Sequence, residues 1–487
     1  MKDKGNTMAM RRLRAIPIPA KYPLISSVVF MVALYGLTTP NPLESLWTCS
    51  LLMVLLRWFW WSTQPGILLF CLLIPFIEIH TSLLEANQSG VTLNELFFGT
   101  GGQTFWMSSM ALLAVAFGVR VTWSVFHEGR ITFQIEKLQQ AADHIDQRKL
   151  VISLFTVSII SQLIDQLIPY SSGIRQIETY TAGISEAMLF AIATKFMLDR
   201  KHLWVIVLIF SYFIITSFYS FFSSWKEPII VLLVTSLIRV SNFNVKQLLR
   251  LTPIIAPALL FLLVWQSVKG EYRQFLNGGR FSQSIVVNQE EALYKLQDLA
   301  KEAFLSDKLL SPDKMDATYR RIGYLEYFAN AVKNVPNELP HEQGQLLLSN
   351  IEFALIPRFL APSKGTKNDK AKVEKYTDFY FGKYGGSSFS LGHYCEAYID
   401  WGRTGMIIQL FVFGLIGGSL FLLTQLRTQK FSPIISLCLT WICMKPWATF
   451  QADMITMTGQ LFWGAICHLI LFFPLYKWIN SWITKKK

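Results

Sequence analysis

Apolar residues along this 487-residue chain come in long blocks rather than in the 3.6-residue rhythm of a half-buried helix. Val151–Ile160, Leu203–Ile215 and Phe411–Leu423 are, with their flanks, long enough to cross a hydrocarbon core of about 30 Å. Backbone groups in lipid must be satisfied within the spanning segment, so helices are expected. A barrel would instead alternate apolar and polar residues over short segments, and no such alternation is present in the sequence. Spans are expected at 23–39, 44–61, 66–84, 104–126, 150–168, 178–198, 203–222, 227–240, 251–268, 403–425, 431–450 and 457–478. The expected fold class is therefore all-α, a polytopic helical membrane protein with about 12 transmembrane helices. Residues 1–268 supply helices 1–9, 269–402 form one large extracytoplasmic (periplasmic) loop, and 403–487 supply helices 10–12.

Within the loop the pattern changes. Ser311-Pro312-Asp313 reads as an N-cap followed by proline at the first helical position. Met315, Ile322, Leu325, Ala329 and Val332 then recur at helical spacing until Pro336 stops the run. Further helices are expected over Glu290–Leu305 and Gln345–Leu355, the latter ending near Pro357. The stretch Ser363–Lys375 is charge-rich and apolar-poor, which predicts a mobile flap or surface loop.

Composition agrees with the membrane reading: 52% of residues are hydrophobic and only 16% charged, too few for the surface of a soluble protein of this length. The net charge of +13 raises the question of nucleic acid, but the cations cluster at the ends of apolar spans instead of forming a binding stripe. Arg11, Arg12, Arg14 and Lys21 precede the first span, which resembles an uncleaved signal anchor. Arg130, Lys137, Arg148 and Lys149 form the next basic group on that side, then Lys195, Arg200 and Lys201, then Arg239, Lys246 and Arg250. Arg427 with Lys430, and Lys477 with Lys485–Lys487, complete the alternation, so both termini are expected in the cytoplasm. Five of the six cysteines fall in apolar spans and Cys395 stands alone, which excludes a disulfide framework and a Cys-x-x-Cys metal site.

Charges that snorkelling does not explain gather at the outer ends of spans: Asp165, Lys226, Glu227, Glu271, Arg273, Lys445 and Asp453, with Arg175 and Glu178 flanking one outer connection. Pairing among themselves or with headgroups is the plain alternative for each. Arg57, Arg120 and Lys195 lie at cytoplasmic ends, where snorkelling suffices. Trp58, Trp60 and Trp61 read as an interfacial belt, and His80 and His127 as interfacial residues.

The second half of the chain carries the most specific local signals. Val268-Lys269-Gly270-Glu271-Tyr272-Arg273 follows the ninth span, and Asn334-Val335-Pro336 and Gly344 follow within the loop. Ile356-Pro357-Arg358 then precedes Pro362 and Lys364. Gly392-His393-Tyr394-Cys395-Glu396-Ala397-Tyr398-Ile399-Asp400-Trp401-Gly402-Arg403-Thr404-Gly405 leads into a later span. This order resembles the oligosaccharide repeat-unit polymerases, the Wzy-type O-antigen and exopolysaccharide polymerases, over roughly residues 150–425. The chain departs from their pattern at Asp400-Trp401, where Asn-Phe is usual, and at Cys395, where Gly commonly precedes the Glu.

The resemblance implies a GT-C-like helical glycosyltransferase of the bacterial inner membrane. It implies action on undecaprenyl-diphosphate-linked oligosaccharide, moving the growing chain from its lipid carrier onto the newest repeat unit. Membrane lipids surround such an enzyme, and a chain-length regulator and a flippase are partners implied by the resemblance alone. No cofactor is expected, and no Asp-x-Asp pair offers itself to a divalent ion. A diphosphate leaving group then calls for guanidinium groups, whose planar forks bind phosphate oxygens in pairs. The expected catalytic residues are Arg273 and Arg358 for that charge and Glu396 as general base, with His341 as a second choice for the base. Arg175, Lys364, His393 and Lys226 are the expected substrate-binding residues.

Plainer roles stay open: Arg358 as a helix C-cap and Glu396 as the partner of Arg403. Two other functions also stay open. An O-antigen ligase or another lipid-sugar transferase differs in acceptor and leans on a loop histidine. A lipid-linked sugar transporter would carry its charges nearer the bilayer midplane.

Overall fold

The chain is described from a computed structural model, which defines residues 23–60, 66–126, 135–167, 175–199, 203–217, 226–239, 260, 264–265, 267–279, 285–305, 318–320, 322–356, 360–361, 364–365, 368–380 and 390–485. Among these residues the regular structure is entirely helical. In the first half, α1 (Pro23–Gly36), α2 (Pro42–Phe59), α3 (Ile67–Gln88), α4 (Leu93–Leu96), α5 (Gly101–Phe126) and α6 (Ile135–Asp143) lead to α7 (Gln147–Leu167), α8 (Arg175–Asp199), α9 (Leu203–Ser217) and α10 (Lys226–Arg239). The loop region contributes α11 (Gln289–Leu305), α12 (Leu325–Asn334), α13 (Gln345–Leu355) and α14 (Asp369–Tyr376). The chain ends with α15 (His393–Thr428), α16 (Pro433–Met444), α17 (Met454–Ile466) and α18 (Phe473–Ile483).

Among the described residues six helices are long and apolar enough to cross a membrane: α3, α5, α7, α8, α15 and the run Met454–Leu471. Shorter apolar helices lie under five more expected spans, as α1, α2, α9, α10 and α16. The expected span at 251–268 falls almost wholly outside the described residues. The last expected span, 457–478, is not one rod. It is α17, a wide turn over Cys467–Leu471, and α18 beginning at Phe473-Pro474.

The core is organised around α5 and α15. A Cβ on Gly118 would stand 2.4 Å from the Phe411 carbonyl oxygen, one on Gly414 2.2 Å from that of Val115, and one on Gly418 2.9 Å from Cβ of Thr122. Ring contacts rise together along both helices, Phe117 on Phe411 and Trp123 on Phe421, so the two run parallel, with backbones as close as small-residue membrane interfaces allow. Thr122 reinforces the seam by donating to the Leu415 carbonyl at 3.3 Å. A second, smaller core forms where Trp265, Val268, Tyr272 and Leu276 pack against Ala292 and Leu299 of α11.

Four local expectations change. The helix expected to run through Met315–Val332 breaks at Gly323–Tyr324, where the Tyr324 N–H donates to the Glu78 carbonyl of α3 and α12 then begins at Leu325; Ser311-Pro312-Asp313 lies outside the described residues. The stretch expected as a flap instead contains α14, capped by the Asn368 side chain, which accepts from the Ala371 N–H at 3.0 Å. Its Val373 and Tyr376 are buried, and that burial holds the helix on the body of the protein. Finally, Lys195 does not snorkel: it is 2% exposed and donates to the Ala142 carbonyl at the end of α6 at 2.5 Å. His80 likewise is a core residue, stacked on Phe76 at 4.0 Å, and not an interfacial one; His127 and Trp61 lie outside the described residues.

Candidate functional site

The site is built where α15 begins. Gly392 precedes the helix with φ +79°, and a Cβ there would lie 2.5 Å from the Phe450 carbonyl oxygen, so the close approach requires glycine. That approach seats the first turn of α15 against the irregular connection 448–453 between α16 and α17. The His393 N–H and its ring Nδ1–H both donate to the Ala452 carbonyl, at 2.8 and 3.0 Å. Irregular backbone buried among helices survives only when its polar groups are partnered this way. The Phe450 N–H is served by the Glu78 carboxylate of α3 at 2.5 Å.

One turn into α15, Glu396 is 2% exposed and its carboxylate has partners from three directions. Oε1 accepts from the Lys372 ammonium of α14 at 2.8 Å. Oε2 accepts from the Asn350 amide of α13 at 3.1 Å and from the Met454 N–H at the start of α17 at 2.8 Å. The Lys372 ammonium also donates to Asn350 Oδ1 at 3.0 Å and lies 3.8 Å from Asp453 Oδ2. Asp453, 1% exposed, uses its other oxygen to cap α17 through the Thr456 N–H at 3.2 Å. A buried carboxylate persists only when paired and hydrogen-bonded, and Glu396 meets both conditions. Its ion partner is Lys372, not Arg403, which is exposed on the far side of the Gly402 break.

A turn later Asp400 accepts from the N–H groups of Leu346 and Leu347 at 3.0 and 2.7 Å, which ties the N-terminus of α13 to α15. At Gly402, φ is +67° and ψ −167°, and the helix bends. A Cβ on Gly402 would stand 3.2 Å from Nε2 of His341, whose Nδ1–H donates to the Ile399 carbonyl at 3.2 Å. His341 thus stands half-buried beside the first turns of α15 and edge-on to Tyr398.

The outward face of α14 is fastened by ionic contacts. Lys375 donates to Glu342 Oε1 at 2.6 Å, and the Tyr376 hydroxyl donates to the same oxygen at 2.5 Å. These two bonds hold the Glu342 carboxyl below the usual carboxylate range. Burial, with the bond to Glu342, pushes the Tyr376 hydroxyl up to about 12. Just past the helix, Asp378 accepts from Lys333 at 2.6 Å and from Asn334 at 3.1 Å, which holds its carboxyl below the usual range as well.

The remaining expected residues divide. Lys364 sits at the C-terminal end of α13, where its ammonium donates to the carbonyls of Phe353 and Ile356 and stands 4.2 Å over the Phe353 ring. It serves as a cap there, as a cation at a helix C-terminus does. Arg273 is half-buried on the helical segment 267–276, which belongs to the smaller core. Arg358 lies outside the described residues, and Arg175 and Lys226 open α8 and α10 with side chains that are not described. The side chains that touch Glu396 are thus Asn350 and Lys372, and the sequence singled out neither. A second ionic group joins α8, α10 and the turn after α16: Lys445 donates to Glu186 at 2.8 Å and to Glu227 at 3.2 Å. The Trp441 indole N–H completes it, donating to Glu186 at 2.9 Å. Among the described residues no three His, Cys, Asp or Glu side chains gather as a metal site.

A family described as a domain of unknown function (DUF8712) matches residues 110–425, from the middle of α5 to the last turn of α15, and so takes in Glu396, Lys372 and Asn350. No curated protein and no solved structure matches the chain.

Proposed function

The chain belongs to the DUF8712 family, whose defining segment contains the Glu396 site, and from that premise we propose that it is a membrane glycosyltransferase that polymerises undecaprenyl-diphosphate-linked oligosaccharide repeat units into O-antigen or another surface polysaccharide. The observation that carries this reading is the Glu396 carboxylate, buried and paired in the first turn of a membrane-length helix under a roof of loop helices. In this reading the acceptor sugar hydroxyl attacks the anomeric carbon of the lipid-linked chain. The bond from that carbon to the diphosphate oxygen breaks, and the hydroxyl proton passes to Glu396. The released diphosphate keeps the bonding electrons, and Arg273 and Arg358 offset its charge, with Arg175 and Lys226 nearby in the topology. His393, whose Nδ1–H serves the Ala452 carbonyl, shapes the site and does not touch sugar. Lys364, committed to two carbonyls, drops out of the phosphate-binding set.

The reading includes a GT-C-like arrangement of about a dozen spans in the inner membrane, with both termini cytoplasmic and the site at the outer face. Two contacts support that topology. Parallel packing of α5 and α15 agrees with their being the fourth and tenth spans, both running inward. Backbone bonds from Asp146 to Ile483 and from Lys485 to His144 bring the start of α7 beside the end of the chain, as two cytoplasmic ends require.

The test is deletion of the gene in its own host, followed by complementation with wild type, Glu396→Gln and Arg358→Ala at matched membrane levels. Single repeat units on the final acceptor in the deletion, and a polymer ladder restored by wild type only, are the expected result. Long lipid-linked chains accumulating without transfer would make the protein a ligase. A ladder that survives the deletion would remove the glycan reading and leave transport.

A further inference from the structure

Among the described residues, the placement of Lys372 is explained by neither packing nor capping. This lysine stands on α14, an eight-residue helix with five charged side chains, in a stretch whose composition reads as surface. Yet its side chain is only 18% exposed, and its ammonium reaches three acceptors on three other elements: Glu396 at 2.8 Å, Asn350 at 3.0 Å and Asp453 at 3.8 Å. The side chains of Glu396 and Asp453 are 2% and 1% exposed respectively. Two carboxylates so near one another cannot both stay ionised out of water without a cation between them.

The geometry points to Lys372 as the positioning residue of the transferase: it keeps the Glu396–Asp453 carboxylate pair charged and holds Glu396 in place to receive the acceptor proton. This rests on the reading of Glu396 as the base. Lys372 touches no sugar in this account; it acts through Glu396. Asn350 completes the arrangement by donating to Glu396 while accepting from Lys372, so one side chain fixes the distance between the two charges. The Met454 N–H donates to the same Glu396 oxygen as Asn350, Oε2, and Asp453 is fixed by its own capping bond to Thr456. The carboxylate therefore has one defined orientation, which a base within hydrogen-bond reach of a hydroxyl requires. It also follows that α14 is part of the catalytic unit and not a surface ornament: removing the helix removes the only cation within 4 Å of Glu396 among the described residues.

A purely structural lysine and a charge-balancing one respond differently to loss of a carboxylate. Membranes from the deletion host carrying Lys372→Met, Lys372→Arg, Asp453→Asn and the double variant Lys372→Met/Asp453→Asn are supplied with the lipid-linked repeat units that accumulate in that host. Asn at 453 keeps the capping oxygen, so the change removes charge alone. Lys372→Met is expected to lose chain extension on the order of 10²-fold, the usual range for an impaired base, while Lys372→Arg keeps most of it. The double variant is expected to regain about tenfold over Lys372→Met, because one carboxylate no longer needs a counter-charge. Melting temperatures of the purified variants should follow the same order. Full activity in Lys372→Met would overturn the inference, and so would a double variant no more active and no more stable than the single one. If wild type itself never extends a chain, the transferase reading falls, and the melting order alone then decides whether Lys372 balances the pair.

Discussion

Asp400 accepts a 2.7 Å hydrogen bond from the main-chain N–H of Leu347, one helical turn after Glu396. With the companion bond to the Leu346 N–H, it locks the start of α13 to α15. Three residues further along α13, Asn350 meets Glu396. The register between Asn350 and Glu396 is therefore set by Asp400. Asp400 is 1% exposed, and removing it takes the acceptor from two part-buried N–H groups.

Asp400→Ala is expected to cost about 3–6 kcal/mol, two charge-assisted bonds at the usual range, and to lower chain extension with it. Asp400→Asn keeps an acceptor oxygen and should cost less than half as much. Thermal unfolding of the purified variants, alongside the glycan ladder, checks the order.

Gly402→Ala tests the break above the membrane-length part of α15. Its φ of +67° with ψ −167° is open to glycine alone, and a Cβ would press on the His341 ring at 3.2 Å. A loss of about 1–3 kcal/mol is expected. Since the bend sets the angle of the turn that carries Glu396, activity should fall further than stability does; equal falls would argue that the bend is only structural.

Gly414→Val addresses the α5–α15 seam. Even a Cβ would lie 2.2 Å from the Val115 carbonyl oxygen, so the backbones must part. Overpacking of this kind costs about 1–3 kcal/mol, and the purified protein should melt earlier. Substitution at Gly459, where a Cβ meets nothing within 4 Å, should leave melting unchanged.

The fastening of α14 carries a pH signature. Glu342 and Asp378 both have folded carboxyls below their ordinary values of 4.5 and 3.8. A depressed carboxyl stabilises the fold above its ordinary value, and that stability is lost as pH falls through the depressed one. Amide exchange in α14 should therefore accelerate on acidification through pH values below 4.5 in wild type, and Glu342→Gln should flatten the change. Raised salt should loosen the helix too, since Lys375 and Lys333 are about half exposed.

Much of the fold was legible because lipid imposes a coarse rule. Long apolar blocks must be helical, so α3, α5, α7 and α8 fall where hydrophobicity places spans, within a few residues, while α15 begins ten residues before its expected span. Breaks were less legible. The bend at Gly402 lies against His341 of a distant segment, which no local pattern announces. The wide turn over Cys467–Leu471 has no proline or glycine within it to announce it. At the site, Glu396 stood out through its position ahead of an apolar run. Lys372 did not, because a lysine in a charged stretch looks like any solvated lysine. A signal was nevertheless present: Asn368 can cap a helix, and Val373 and Tyr376 lie three apart on one face, which predicts a short packed helix in place of a flap. Asn350 gave no signal, since its role comes wholly from the approach of α13 to α15.

The most direct test of the central claim is chain extension by the purified protein. Wild type and Glu396→Gln are reconstituted separately into vesicles and given the lipid-linked repeat units extracted from the deletion host. The account predicts that wild type converts them into a ladder of longer lipid-linked chains and that Glu396→Gln leaves them single. Movement of the units across the vesicle membrane with no lengthening, or equal lengthening by both proteins, would contradict it.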